Sequence, residues 1–225
     1  MAARIAEKNP QPKLRADALR NRERIIAAAR EVLVEYGADV PLDEIARRAG
    51  LGNATIYRHF ADRRELIHHV TISVMARTAD QAEAARAEEP DAFQALRRFV
   101  HAAADERIGA LCPLLSDGID RDHPDQVAAR IRLQTGIEAL MAAARDSGQL
   151  RSDIDVGDLL VALTQLTRPL PGWGSPKAES EGSCFLDFDR FVHRHLQLFL
   201  DGMMTPARSE LAGSAATLED LRRRQ

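Results

Sequence analysis

Apolar residues along this 225-residue chain recur at three- and four-residue intervals almost from end to end, the period of helices with one buried face. No stretch alternates apolar and polar positions with β-branched enrichment, so strands are not expected. The first helix spans about 17–36, with Ile25, Ile26, Ala29, Leu33 and Tyr36 on one face and Gly37 as its stop. A second opens at Pro41, whose missing N–H suits a first helical position. Asp43 and Glu44 then sit where the helix dipole favours anions; Leu42, Ile45 and Ala46 form the buried side, and Gly50 ends the helix. A third, short helix covers 53–59. Asp62 and Glu65 form a capping box for a longer fourth helix, carried to about Glu83.

Five more helices follow, over roughly 91–104, 105–115, 124–146, 156–168 and 187–202. The connectors "SDGIDRDHPD" and "RDSGQLRSDID" are rich in turn formers, and "RPLPGWGSPKAESEGS" reads as a long loop. The pattern is all-α and divides into four parts: a mobile basic arm (1–15), a three-helix unit (16–64), a helical body (65–204) and a flexible tail (205–225). Within the tail, "TLEDLRRRQ" can form a short helix.

Composition adds one asymmetry. Hydrophobic residues make up 45% of the chain, enough for a core. Residues 1–64 carry 13 Lys+Arg against 9 Asp+Glu, a balance of +4, while the remainder carries 18 against 25, a balance of −7. A basic front on an acidic body points to a polyanion partner at the front. No cationic start leads into an apolar run, and no apolar stretch approaches membrane-span length, so the expectation is a cytoplasmic chain without a membrane partner. Cys112 and Cys184 read as two idle thiols.

The chemistry concentrates in "AGLGNATIYRHFADRREL", 49–66. Two short helices joined by Ala49-Gly50-Leu51-Gly52 have the spacing of a helix-turn-helix. Leu42, Ile45, Ala46, Leu51, Ile56 and Phe60 would lock the pair against the first helix. Asn53, Ala54, Thr55, Tyr57, Arg58 and His59 are then left outward. In such a unit the second helix enters the DNA major groove. There Asn53 can pair with adenine, Arg58 with guanine, and Thr55 with either partner or a thymine methyl. Tyr57 and His59 can donate to phosphates, and Arg63 adds charge. On spacing alone, a helical hairpin with a solvated polar face remains an alternative.

The stretch "IIAAAREVLVEYGADVPLDEIARRAGLGNATIYRHFADRREL", 25–66, resembles the DNA-binding domain of TetR-type transcriptional repressors, above all in the Ile56-Tyr57-Arg58-His59-Phe60 string followed by a cation and Leu66. The resemblance implies an N-terminal helix-turn-helix domain and a larger C-terminal helical domain that binds an effector and dimerises. It implies phosphate contacts at Tyr57, His59 and Arg63, and base contacts at Asn53, Thr55 and Arg58. Two positions depart from the family pattern: Pro41 replaces a frequent Ser or Thr, and Asp43 stands where some members carry a cation. Lys8, Lys13, Arg15, Arg20, Arg22 and Arg24 are expected to compensate by reaching the backbone or minor groove.

By the same analogy the last two body helices would form the dimer interface. Leu159, Leu160, Leu163 and Leu166 stripe one of them; Phe188, Phe191, Val192, Leu196 and Phe199 stripe the other. The same stripes would also suit the monomer's own core. Candidate effector contacts are His101, Gln134, Thr164 and Trp173. The expected partners are therefore a double-stranded DNA operator, a second copy of the chain and a small-molecule effector of unspecified chemistry.

Enzymatic chemistry finds no support. His193 and His195, two apart on a helix, diverge, as do the adjacent His68 and His69. There is no phosphate-binding glycine loop, Cys cluster or G-x-S-x-G motif. No catalytic residue, metal or cofactor is expected. A constitutive or architectural DNA-binding protein, or an activator, is the alternative within DNA binding.

Overall fold

The computed structural model describes residues 11–37, 39–111, 120, 122–168 and 188–223. Three helices form the front unit: α1 (Gln11–Tyr36), α2 (Leu42–Ala49) and α3 (Asn53–His59). The long α4 (Arg63–Glu88) leaves that unit and runs into the body. The body continues with α5 (Ala92–Asp105), α6 (Pro124–Asp146), α7 (Val156–Leu166) and α8 (Phe188–Met203), and α9 (Leu218–Arg223) lies near the C-terminus. Among the described residues the only β pairing is an isolated bridge, Leu150 to Met204. No helix of the described residues is long and apolar enough to cross a membrane.

Helix α1 begins at Gln11, earlier than the 17 expected, so residues 11–15 are helical. Pro12 falls in its first turn, where a proline costs nothing. Residues 1–10, including Lys8, lie outside the described part, as does the Lys13 side chain. Pro41 is the N-cap residue, with ψ 146°, and not the first helical one. Helix α4 continues to Glu88, past the expected end at Glu83, because no glycine or proline interrupts it before Pro90. The expected helix over 105–115 is broken: Glu106 and Arg107 form a turn, Arg107 adopts φ 59°, and a helical turn follows at 108–111. Positions 112–115 lie outside the described residues.

The front unit closes around Ile25, Ala28, Ala29, Val32, Leu33, Ile45, Ala46, Ile56 and Phe60. In the body, α4 and α6 pack side by side. Gly136 permits this, since a Cβ there would come within 3.1 Å of the Ala82 Cβ. Arg132 on α6 bridges Asp80 and Glu83 of α4 at 2.6–2.8 Å. Several described residues past 204 are tied to the body. Thr205 N–H donates to Gln149 O at 2.9 Å, Ala216 N–H donates to Asp158, and Arg151 reaches Asp153, Gly202 O and Ser209 O. Gly157 accommodates the returning chain, because a Cβ would sit 2.2 Å from Ala216 O.

Candidate nucleic-acid interface

Helix α2 ends in a left-handed Gly50 (φ 63°). Gly50 N–H donates to Arg47 O and Leu51 N–H to Ala46 O, a pairing that turns the chain sharply. A side chain at Gly50 would be strained and would meet Arg24 Nη2 at 3.0 Å. That tight turn aims α3 across α2. Ile56 and Phe60, one turn apart, are fully buried and key α3 into the front core. The 3.6-residue period then forces Asn53, Ala54, Tyr57 and Arg58 onto the opposite, exposed face. Tyr57 keeps 55% of its surface in solvent. Thr55 and His59 lie at the half-buried flanks.

Asn53 gives its amide N–H to the Asp43 carboxylate. Asp43 thus reaches the start of α3 from α2. Arg63 lies at the first position of α4, half-buried, and one of its guanidinium nitrogens donates to Val40 O at 2.6 Å. It pins the chain entering α2, and a phosphate would have to share it. Asp62 caps α4 as expected, accepting from Glu65 N–H at 2.8 Å, but Glu65 accepts from Ala61 N–H at 2.6 Å and not from the Asp62 N–H that a capping box requires.

Several cations of the basic front pair with the protein itself. Arg22, half-buried, and Arg24, exposed, are expected to reach DNA; in the structure each donates to a backbone carbonyl. Arg22 Nη1 donates to His59 O at 2.9 Å, and its guanidinium lies 4.5 Å over the Phe60 ring. Arg24 donates to Ala49 O at 2.6 Å. Each thereby satisfies an otherwise orphaned carbonyl at a helix end, Arg24 on α2 and Arg22 on α3. Arg48 on α2 is held by Glu35 and Glu31 of α1, with its pKa raised chiefly by the Glu35 hydrogen bond. No local sequence signal marks these roles, because the partners lie 13 to 37 residues away.

The body residues fall as follows. His101 on α5 faces His193 on α8, Nδ1 to Nδ1 at 2.7 Å, with the rings stacked. Burial, then the facing His193, holds the His101 pKa below the ordinary imidazole value. Gln134 donates to Glu138 along its own helix. Thr164 is half-buried on α7, and Trp173 lies outside the described residues. Of the residues expected at a dimer face, Leu159, Leu163 and Val192 are covered by the chain's own core. Leu166 and Phe199 pack against that core half-buried, and the Phe188 side chain is outside the described part. Only Phe191 is exposed. The apolar surface that α7 and α8 turn outward is Val161, Phe191 and Leu198. Among the described residues no group of three His, Cys, Asp or Glu is placed to hold a metal ion.

An outward seven-residue helix on a sealed three-helix unit, joined through one long helix to a larger helical body, defines a helix-turn-helix regulator. The family model for bacterial regulatory proteins of the tetR family matches residues 25–70. A TetR transcriptional regulator of Streptomyces coelicolor is 31% identical, with a TM-score of 0.60, over 83% of this chain and 99% of its own. The chain belongs to the TetR family. An HTH-type transcriptional regulator of Staphylococcus aureus is 38% identical over 58 residues, 25% of this chain; the match spans only 31% of that relative's length. The TetR-like regulator LfrR from Mycobacterium smegmatis, solved in complex with proflavine, shares the fold at 19% identity and a TM-score of 0.55, over 85% of this chain and 99% of its own.

Proposed function

We propose that this regulator is a ligand-responsive repressor that binds a pseudo-palindromic operator as a homodimer and is released by a small-molecule effector. The observation that carries the reading is the exposure of Asn53, Ala54, Tyr57 and Arg58 on the helix whose other face, Ile56 and Phe60, is fully buried. Asn53, Thr55 and Arg58 read base edges; Tyr57, His59 and Arg63 hold phosphates. One such head contacts too few base pairs for specificity. Two heads related by a two-fold axis read half-sites about 34–36 Å apart, or a multiple of that. The exposed Val161, Phe191 and Leu198 offer the second copy an apolar surface.

The effector works by population shift, preferring the dimer whose heads are wrongly spaced; a preference of about 1–3 kcal/mol changes operator affinity roughly 5–150-fold. That LfrR, with the same fold, was solved in complex with proflavine supports a small-molecule effector.

Selection of bound fragments from random DNA, repeated with metabolite pools, tests the reading. A repressor of this kind enriches a pseudo-palindrome by orders of magnitude and loses it with one pool. An architectural protein enriches nothing and shows a steep salt slope. Arg58→Ala should relax one position per half-site, whereas Tyr57→Phe should weaken all sequences alike. An equal loss on every sequence for Arg58→Ala removes Arg58 from base reading.

A further inference from the structure

We propose that Arg22 and a neutral His69 form a proton-sensitive clamp that positions the recognition helix α3, so that DNA affinity falls on acidification. The proposal rests on the DNA-reading role of α3 and adds two positioning residues and a regulation to it.

The guanidinium of Arg22, from α1, makes three contacts at one place. Nη1 donates to His59 O, the last carbonyl of α3; the cation lies over the ring of Phe60, the residue that ends α3; and Nη2 meets His69 Nε2 at 2.5 Å. A cation at a helix C-terminus is favoured by the dipole and fills an orphaned acceptor. Because the guanidinium is planar and its donors are fixed, a rotation of α3 that broke one contact would strain the others. His69 decides which way the guanidinium faces. It lies on α4, 5.7 Å from the Phe60 ring centroid, and closes the clamp from the body side.

Arginine has no acceptor, so the short contact requires a lone pair on His69 Nε2, with the single ring proton on Nδ1. A proton on Nε2 removes that acceptor and places a second cation against Arg22. The groups facing His69 agree with a neutral ring. Burial, then Arg22 from α1, then His68 on its own helix lower its pKa; Glu65 on α4 and Asp125 on α6 oppose this more weakly. The Glu65 carboxylate stands off at 3.9 Å. His68 in turn stacks edge-on against His123, the N-cap residue of α6, at 4.4 Å between centroids. The ring system therefore runs from the end of α3 to the start of a body helix. The clamped form holds above the His69 pKa and is lost as pH falls through it, on the acid side of the ordinary imidazole value of 6.5.

The sign separates this device from simple electrostatics. Simply adding positive charge to the head on acidification would tighten DNA binding. Loss of the clamp loosens it. The test uses the full-length chain and the DNA fragments it selects at pH 7.5, with affinity measured from pH 8 to 5.5 at constant salt. Wild type should weaken on acidification, by up to about tenfold per pH unit, the limit for one linked proton. His69→Gln keeps an acceptor near Nε2 and cannot titrate. It should match wild type at pH 7.5 and lose the acid weakening. In Arg22→Ala, affinity should drop at every pH, and the His69 ring, followed by NMR without DNA, should titrate at higher pH than in wild type. An acid weakening that persists unchanged in His69→Gln, or a His69 titration unmoved by Arg22→Ala, overturns the clamp. If wild type selects no DNA, the functional reading fails on its own, and the His69 titration still decides whether the clamp exists.

Discussion

Replacing Glu106 by glutamine removes a charge that two arginines share at the junction of the reading head and the body. The carboxylate is only 8% exposed. Arg77 of α4 binds it through both Nε and Nη2 at 2.7–3.0 Å, and Arg30 of α1 pairs with the same group. Arg77 keeps half its surface in water, so its share is screened and is worth about 1 kcal/mol or less. Arg30 is 22% exposed. Removing one partner of a fully buried pair costs about 3–5 kcal/mol. With Arg30 partly wet and the glutamine oxygen still accepting, about 2–3 kcal/mol is expected. At roughly 2.1 cal/mol/K per residue, unfolding entropy for a chain of this length is about 0.5 kcal/mol/K, so Tm should fall by about 4–6 °C. Thermal unfolding by circular dichroism at fixed protein concentration measures it. Arg30→Gln and the double variant complete a cycle in which the coupling should exceed about 1 kcal/mol. A Tm shift within about 1 °C, or strictly additive effects, would refute the view that Glu106 ties head to body.

Three further outcomes follow from packing. Gly109→Ala should cost more than about 2 kcal/mol by chemical denaturation, because its Cβ would lie 2.2 Å from Thr167 Oγ1 and 2.5 Å from the Thr164 backbone oxygen. Phe60→Ala empties a fully buried site and should destabilise by about 3–5 kcal/mol, abolishing DNA binding through loss of α3 and not of a contact. Leu198→Glu, at a position 60% exposed, should leave the monomer's unfolding unchanged yet dissociate the proposed dimer in sedimentation, whereas Leu159→Ala should do the reverse; an unchanged mass for Leu198→Glu would move the interface elsewhere.

Local chemistry made much of the fold legible. Asn53–His59 and Pro124–Asp146 match the expected bounds because Gly50, Gly52 and Pro124 punctuate them and Ile56 and Phe60 set the buried phase. The capping pair Asp62–Glu65 marked the entry to α4 for the same reason. What local signals missed were the start of α1, where Pro12 sits inside the first turn, the end of α4, which no breaker cuts short, and the break at Arg107, whose positive φ no glycine announced.

The sequence by itself therefore determined most of the helices, the turn and four of the outward residues on α3, Asn53, Ala54, Tyr57 and Arg58, since each depends on neighbours within a few positions. Only the tertiary structure decided where the stripes and charges went. An apolar stripe says that a face is covered, not by what, and Leu159 and Leu163 proved to be covered by their own chain, leaving Val161 and Leu198 outside. Likewise Arg22 and Arg24 looked like DNA contacts. They are tied to the protein's own backbone because His59 and Ala49, remote along the chain, are brought within hydrogen-bond reach.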